Sequence, residues 1–192
     1  MIVQLAGLPG TGKSTLAAAL AHHLSRVTVW DKDQVRHTLF GAQGTLYTRA
    51  QDDECVQIML NAAARRLAHN PSTLVVLDGR TCSRAYQVEQ IRTFAHRLGQ
   101  PLRLIECVCD DDLALARLAA DHTRGIHRAA NRTPELYQRL SAFADPIPEP
   151  KLLIDTGNPI SDYLGHVLDY VAATALVAED FDTTSPATRE RR

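Results

Sequence analysis

The sequence predicts an α/β fold, a five-stranded parallel sheet with helices on both faces. Three observations predict it. Short apolar runs alternate with longer helical patterns along the chain. The candidate strands are apolar on nearly every residue rather than on alternate residues, the pattern of strands covered on both sides. The first strand-to-helix junction carries a glycine-rich turn, Gly7-Leu8-Pro9-Gly10-Thr11-Gly12-Lys13-Ser14-Thr15, and such turns open helices onto phosphate groups.

Bulk properties agree with this class. The chain has 192 residues, 45% of them hydrophobic and 22% charged, with a formal net charge of −1. That length suits one domain with a sizeable core. A near-neutral charge excludes a global field that would hold a long polyanion and leaves only a local basic patch open. No apolar run approaches the roughly 20 residues that span a bilayer. The start of the chain has no signal-peptide pattern. Its four cysteines are not spaced as a secreted framework, which predicts a reduced, cytoplasmic setting and no membrane partner.

The elements follow in order. Ile2 to Ala6 reads as a buried strand and Lys13 to Ser25 as a helix with alanine and leucine at helical spacing. Val27 to Trp30 is a second strand. Asp33 to Phe40 reads as a short helix that Gly41 to Gly44 ends. Thr48 to His69 is a long helix, broken at Asn70-Pro71. Leu74 to Asp78 is a third strand, and Ser83 to Leu98 a helix that Gly99 caps. Leu102 to Val108 is a fourth strand. Asp110 to Asp121 is a helix whose three opening carboxylates suit its positive end. The stretch from His122 to Arg132 is polar and irregular. Pro134 to Phe143 is helical, Lys151 to Ile154 a short fifth strand, and Ser161 to Val177 a closing helix. Residues 1–178 are expected to form one domain with a small lid at about 122–133, and residues 179–192 a frayed tail.

The turn at residues 7–15 answers the full P-loop pattern, Gly7-x-x-x-x-Gly12-Lys13-Ser14. Glycines let successive backbone N–H groups point inward at phosphate oxygens. Lys13 supplies a full charge to β- and γ-phosphates, and the Ser14 hydroxyl can ligate Mg²⁺. The fold class sharpens to a three-layer P-loop NTPase fold with ATP and Mg²⁺ as cofactors. Gly7, Leu8, Pro9, Gly10, Thr11, Gly12, Lys13, Ser14 and Thr15 are the expected nucleotide contacts. In parallel sheets ligands bind beyond the carboxyl ends of the strands. Asp78, at the end of an apolar strand, is therefore expected to help hold Mg²⁺ and the acceptor; capping of a turn at Gly79 is the plain alternative.

Asp33 and Arg36 follow the second strand, three residues apart, and share a face of a first helical turn. A carboxylate beside the γ-phosphate can take the proton of an incoming hydroxyl, and the arginine can anchor an anionic group. Asp33 as a simple N-cap is the other reading, and Asp31 is a second candidate for the base. Arg117, Arg124, Arg128, Arg132 and Arg139 follow the fourth strand. A flexible arginine-bearing segment suits a lid over a phosphate site, with Arg124 and Arg128 first to reach the phosphates. A solvated loop paired to neighbouring aspartates is the alternative.

On these residues the chain resembles the small P-loop kinases of the polynucleotide-kinase, adenylylsulfate-kinase and seryl-tRNA-kinase type, often labelled AAA-family ATPases. The resemblance spans residues 1 to about 176 and rests on GLPGTGKST, Asp33-x-x-Arg36, Leu-Val-Val-Leu-Asp78 and the Arg124 to Arg132 segment. It implies a general base at Asp33 and a substrate-phosphate contact at Arg36. It also implies an adenine contact at Arg117, with the loop Asp155 to Pro159 near the base, and an acceptor pocket near Gly79-Arg80-Thr81. For Arg80 two readings stand: an acceptor contact, or a salt bridge to Asp78 or Asp53. The lid departs from the family spacing, because Arg117 and Arg124 lie seven residues apart rather than four.

The expected function is an ATP-dependent kinase acting on a hydroxyl of a small molecule, a nucleotide or an oligonucleotide end. The alternative from another class is a regulatory module that hydrolyses ATP without an acceptor. The acceptor, the oligomeric state and the choice between ATP and GTP are not legible in the sequence.

Overall fold

Five short runs pair side by side because their β-branched and leucine residues pack on both faces of a pleated surface. In the computed structural model, which describes residues 1–124 and 133–173, they are β1 (Ile2–Ala6), β2 (Val27–Asp31), β3 (Leu74–Asp78), β4 (Leu102–Val108) and β5 (Leu152–Asp155). They form one sheet in the order β2-β3-β1-β4-β5, every pairing parallel. All five carboxyl ends therefore lie along one edge. β1 is central, with Ile2 opposite both Val75 and Leu102.

Alternate residues of β1 serve two cores. Val3 and Leu5 pack with Leu16 and Leu20 of α1 (Lys13–His23) and with Val167 and Val171 of α7 (Ile160–Ala172). Ile2 faces the other way, against Val56 and Leu60 of α3 (Arg49–His69) and Ile91 and Phe94 of α4 (Ala85–Arg97). These side chains are almost wholly buried, and each stabilises the fold by about 1.5–3 kcal/mol through burial. The result is the three-layer arrangement the sequence predicts.

The remaining helices serve the carboxyl edge. They are α2 (Lys32–Gly44), α5 (Asp111–Arg124) and α6 (Pro134–Ala142). α2 differs from its expectation. Rather than ending at Gly41, helical structure resumes after a kink there, where φ is 61°; a glycine takes that conformation without steric cost. The cap of α2 is Asp31, whose carboxylate accepts from the Asp33 N–H at 2.9 Å. Asp31, and not Asp33, is therefore the N-cap of α2. Residues 122–124, expected in an irregular lid, continue α5. The rest of the expected lid lies outside the described residues, apart from Thr133, which caps α6 through its hydroxyl. The expected tail at 179–192 lies outside them too.

Candidate active site

The P-loop leaves β1 at Ala6 and enters α1 at Lys13. Two of its glycines are required by shape. Gly7 has φ 129°, and a Cβ there would collide with the Cys107 carbonyl oxygen. Gly10 has φ 80°, and its Cβ would fall 2.6 Å from the Ala114 carbonyl oxygen of α5. The loop is thus pressed against β4 and α5, with no room for a side chain at either glycine. Lys13 is buried, and its ammonium donates to the carbonyls of Gly7 at 2.8 Å and Leu8 at 2.7 Å. Thr156, just after β5, braces the loop from the other side: its hydroxyl donates to the Thr11 carbonyl at 3.0 Å. Arg117 donates to the Thr156 carbonyl at 2.8 Å and to the Gly10 carbonyl at 3.4 Å.

Among the described residues, two of the cavities at this edge adjoin Lys13. One, of about 340 Å³, is lined by Gly10, Gly12, Ser14, Thr15, Arg117 and Thr156, with Lys13 at its end. The other, of about 470 Å³, lies between the ends of β2 and β3, α3 and α6, and takes in Asp33, Arg36, Gly79 and Thr81. Lys13 lines both. Pro9, Asp33 and Arg36 thus line one cavity and Gly10, Gly12, Ser14, Thr15 and Arg117 the other, with Lys13 common to both, while Gly7, Leu8 and Thr11 line a third cavity of about 210 Å³ beside β4.

Asp33 and Arg36 are both buried, and Arg36 Nη1 donates to Asp33 Oδ1 at 2.8 Å. Asp52 of α3 holds the other side of Arg36 and also accepts from Lys32 Nζ at 3.0 Å. Tyr47 stacks beneath the Arg36 guanidinium, 5.3 Å from its ring centre. Asp52 stands in an acidic run, Asp52-Asp53-Glu54, near the start of a helix, a pattern that by itself reads as a solvated helix start. Neither charge pattern nor spacing within α3 points at a residue some sixteen positions further back; only the fold joins them.

Asp78 is buried at the end of β3, and its Oδ1 accepts from the Gly79 N–H at 2.7 Å. Its neighbour in register is Asp31. Burial pushes the Asp31 carboxyl above the ordinary carboxylate range; the Asp33 and Asp78 charges add to this, and the bond from the Asp33 N–H opposes it. Of the two readings for Arg80, the structure shows the ion pair: Arg80 donates to Asp53 at 2.8 Å and to Gln90 at 2.6 Å. It is not among the residues lining the larger cavity. Arg124 is the last residue of α5; its side chain, and Arg128 and Arg132 altogether, lie outside the described residues. Among the described residues no group of three or more His, Cys, Asp or Glu is arranged to hold a metal, and no helix is long and apolar enough to cross a membrane.

Sheet order, cradle and flanking cavities define the class: a P-loop protein with the fold of the small P-loop kinases. The family model described as an AAA domain matches residues 2–146, and the chain belongs to that family. No curated protein matches it. Among solved structures, Kti12 of Chaetomium thermophilum in complex with ADP-AlF3 is similar at 15% identity and TM-score 0.67, over 93% of this chain and 100% of that one. A gluconokinase of Sinorhizobium meliloti is similar at 20% identity and TM-score 0.62, over 90% and 92%. The Mycobacterium tuberculosis APS kinase CysC, in complex with AMPPNP and APS, is similar at 19% identity and TM-score 0.63, over 89% and 96%. At these identities the likeness is one of fold.

Proposed function

We propose that this chain is an ATP-dependent phosphotransferase that moves the γ-phosphoryl group of ATP to a hydroxyl of a small-molecule or nucleotide-like acceptor. The observation that carries this reading is the pair of cavities meeting at Lys13. A module that only hydrolyses ATP needs one ligand cavity; a transferase needs two, with the transferred group between them.

The residues present fit the nucleotide. Gly7, Gly10 and Gly12 take positive φ, a backbone that lets successive N–H groups turn toward phosphate oxygens, and Lys13, bonded to the Gly7 and Leu8 carbonyls, lines the cavity beside them. Ser14 is exposed at the start of α1, and Asp78 sits at the end of β3. Their oxygen donors suit Mg²⁺, which prefers hard oxygen ligands and keeps several waters. When bound, Mg²⁺ neutralises charge on the β- and γ-phosphates. Arg117, against Gly10 and Thr156, stands on the nucleoside side. Arg124 and Arg128 are the lid cations of this reading.

In the transfer step Asp33 accepts the proton of the acceptor hydroxyl, whose oxygen bonds to the γ-phosphorus. The bond from that phosphorus to the β–γ bridging oxygen breaks, and ADP leaves with the electron pair. Lys13 stabilises the charge that develops between the two cavities. Arg36 fixes the Asp33 carboxylate and adds positive charge beside the acceptor.

The test is ATP turnover with and without a panel of alcohols, on the parent protein and Asp33→Asn. We expect one acceptor class to stimulate turnover strongly. We expect Asp33→Asn to lower transfer by about 10²–10⁴-fold while calorimetry still shows Mg·ATP binding. Equal rates in water alone, or normal transfer by Asp33→Asn, would refute the assignment.

A further inference from the structure

The acceptor cavity carries more positive charge than its inner residues use. Lys13, Lys32, Arg36, Arg49, Arg84 and Arg139 line it against the carboxylates Asp33 and Asp52. The inner cations are engaged. Lys13 donates to P-loop carbonyls, Lys32 to Asp52, and Arg36 to Asp33 and Asp52. Arg36 is therefore occupied by two carboxylates, and an incoming anion would have to compete with both.

The outer cations differ. Arg49 is the first residue of α3, Arg84 the N-cap of α4, and Arg139 lies in the last turn of α6. Three segments far apart in sequence bring three arginines to the lining of one cavity. Arg49 and Arg139 are exposed, and among the described residues neither has a carboxylate within ion-pair distance. Arg84 reaches Asp145 only at 3.7 Å, with both side chains more than 40% exposed. Such a pair contributes little and is readily exchanged. Tyr86, 43% exposed, and Phe143, 65% exposed, line the same cavity.

We propose that the acceptor is itself a phosphomonoester. Its hydroxyl lies at Asp33, its phosphate on Arg49, Arg84 and Arg139, and its carbon skeleton or ring lies against Phe143 and Tyr86. Guanidinium groups are the side chains best matched to a phosphate, which they grip through paired N–H donors. A volume of about 470 Å³ suits one metabolite-sized unit. That unit is either a free phosphorylated compound or the terminal residue of a strand. This inference rests on the phosphotransferase reading and places anion recognition on these three arginines rather than on Arg36.

The experiment measures binding to protein loaded with Mg·AMPPNP, so that the P-loop is filled. The probes are pairs differing by one phosphate: ribose and ribose 5-phosphate, glycerol and glycerol 3-phosphate, adenosine and adenosine 3′-phosphate. A short oligonucleotide distinguishes a strand end from a free metabolite. We expect at least one phosphorylated member to bind about tenfold or more tighter than its partner, the equivalent of ~1.4 kcal/mol. We expect that preference to collapse to about threefold or less, and KM to rise, in the Arg49→Gln/Arg84→Gln/Arg139→Gln variant. The control Arg97→Gln, an exposed arginine elsewhere on α4, should retain it. AMPPNP binding by the triple variant shows that it is folded. No preference for any phosphorylated member, or a preference that survives in the triple variant, overturns the proposal. Failure of AMPPNP to bind the parent protein instead sinks the phosphotransferase reading, and the phosphate preference is then measured on the protein without nucleotide.

Discussion

Asp33 accepts from Arg36 at 2.8 Å, and Arg36 is held from its far side by Asp52, which also takes Lys32 at 3.0 Å. Alternating charges in a partly dry site hold one another in place. Removing one member leaves a buried charge uncompensated, which costs more than the pair was worth. Asp52 is one-third exposed, so solvent softens that cost. We expect Asp52→Asn to destabilise by roughly 1 kcal/mol. It should lower transfer by about tenfold or more through misplacement of Asp33, with Mg·ATP affinity unchanged. Asp52→Glu should recover part of the rate. Single-turnover kinetics beside calorimetry check this, and a rate loss matched by an equal loss of nucleotide affinity would refute the positioning role. Lys13 with Ser14, and Asp33 with Arg36, were legible because fixed spacing places the members of each pair side by side whatever the rest of the chain does. Asp52 was not, because its partners lie on another helix, and a carboxylate in an acidic run has no mark of burial. Arg80 shows the same limit: its pairing with Asp53 rather than Asp78 depends on how α3 lies against β3.

At the scale of elements, the phosphate cradle is a contact between a loop and a helix that begins more than a hundred residues later. α5 passes so close to the P-loop that Gly10 has no room for a side chain, and Arg117 of α5 ties Gly10 to Thr156. Gly10→Ala would face both a strained φ and the Ala114 carbonyl. We expect it to cost at least about 1 kcal/mol in stability and to weaken nucleotide binding by about tenfold or more, since the loop must move to relieve the clash. Thermal unfolding and calorimetry with Mg·ATP read the two effects; parent-like affinity would show that α5 can yield. Existence and type of elements were well marked by periodicity. Their ends were less so: α1 stops at His23 rather than Ser25, and α7 at Ala172 within the described residues rather than Val177. α2 runs through the Gly41 kink, because a glycine that can end a helix can equally bend one, and the choice falls to what packs beyond it.

At the scale of the whole molecule, two apolar layers clamp the sheet and bury thiols with it. Cys107 lies in one layer with Val3 and Ile105, and Cys82 in a smaller cluster with Ala6 and Leu104. Burial pushes the Cys82 thiol up to about 11 and the Cys107 thiol up to about 12, from an ordinary value of 9.0. Above pH 9 the unfolded thiols lose protons that the folded ones keep, so stability falls as pH rises and is insensitive to these groups below pH 9. We expect the melting temperature to drop more steeply above pH 9 in the parent than in a Cys82→Ala/Cys107→Ala variant; identical slopes would refute the assignment. The sequence by itself determined the fold class, the P-loop pattern with Lys13 and Ser14, and the placing of Asp33 and Arg36 one helical turn apart after the second strand. Each is written in local spacing, and strand burial imposes a pattern that survives without knowledge of neighbours. Only the tertiary structure decided that Lys13 lines two cavities, that Asp52 pairs with Arg36 and Lys32, and that Arg49, Arg84 and Arg139 line one cavity. Those are juxtapositions across several helices, and a parallel sheet creates them by gathering every strand's carboxyl end along one edge, whatever the distance between them in the chain.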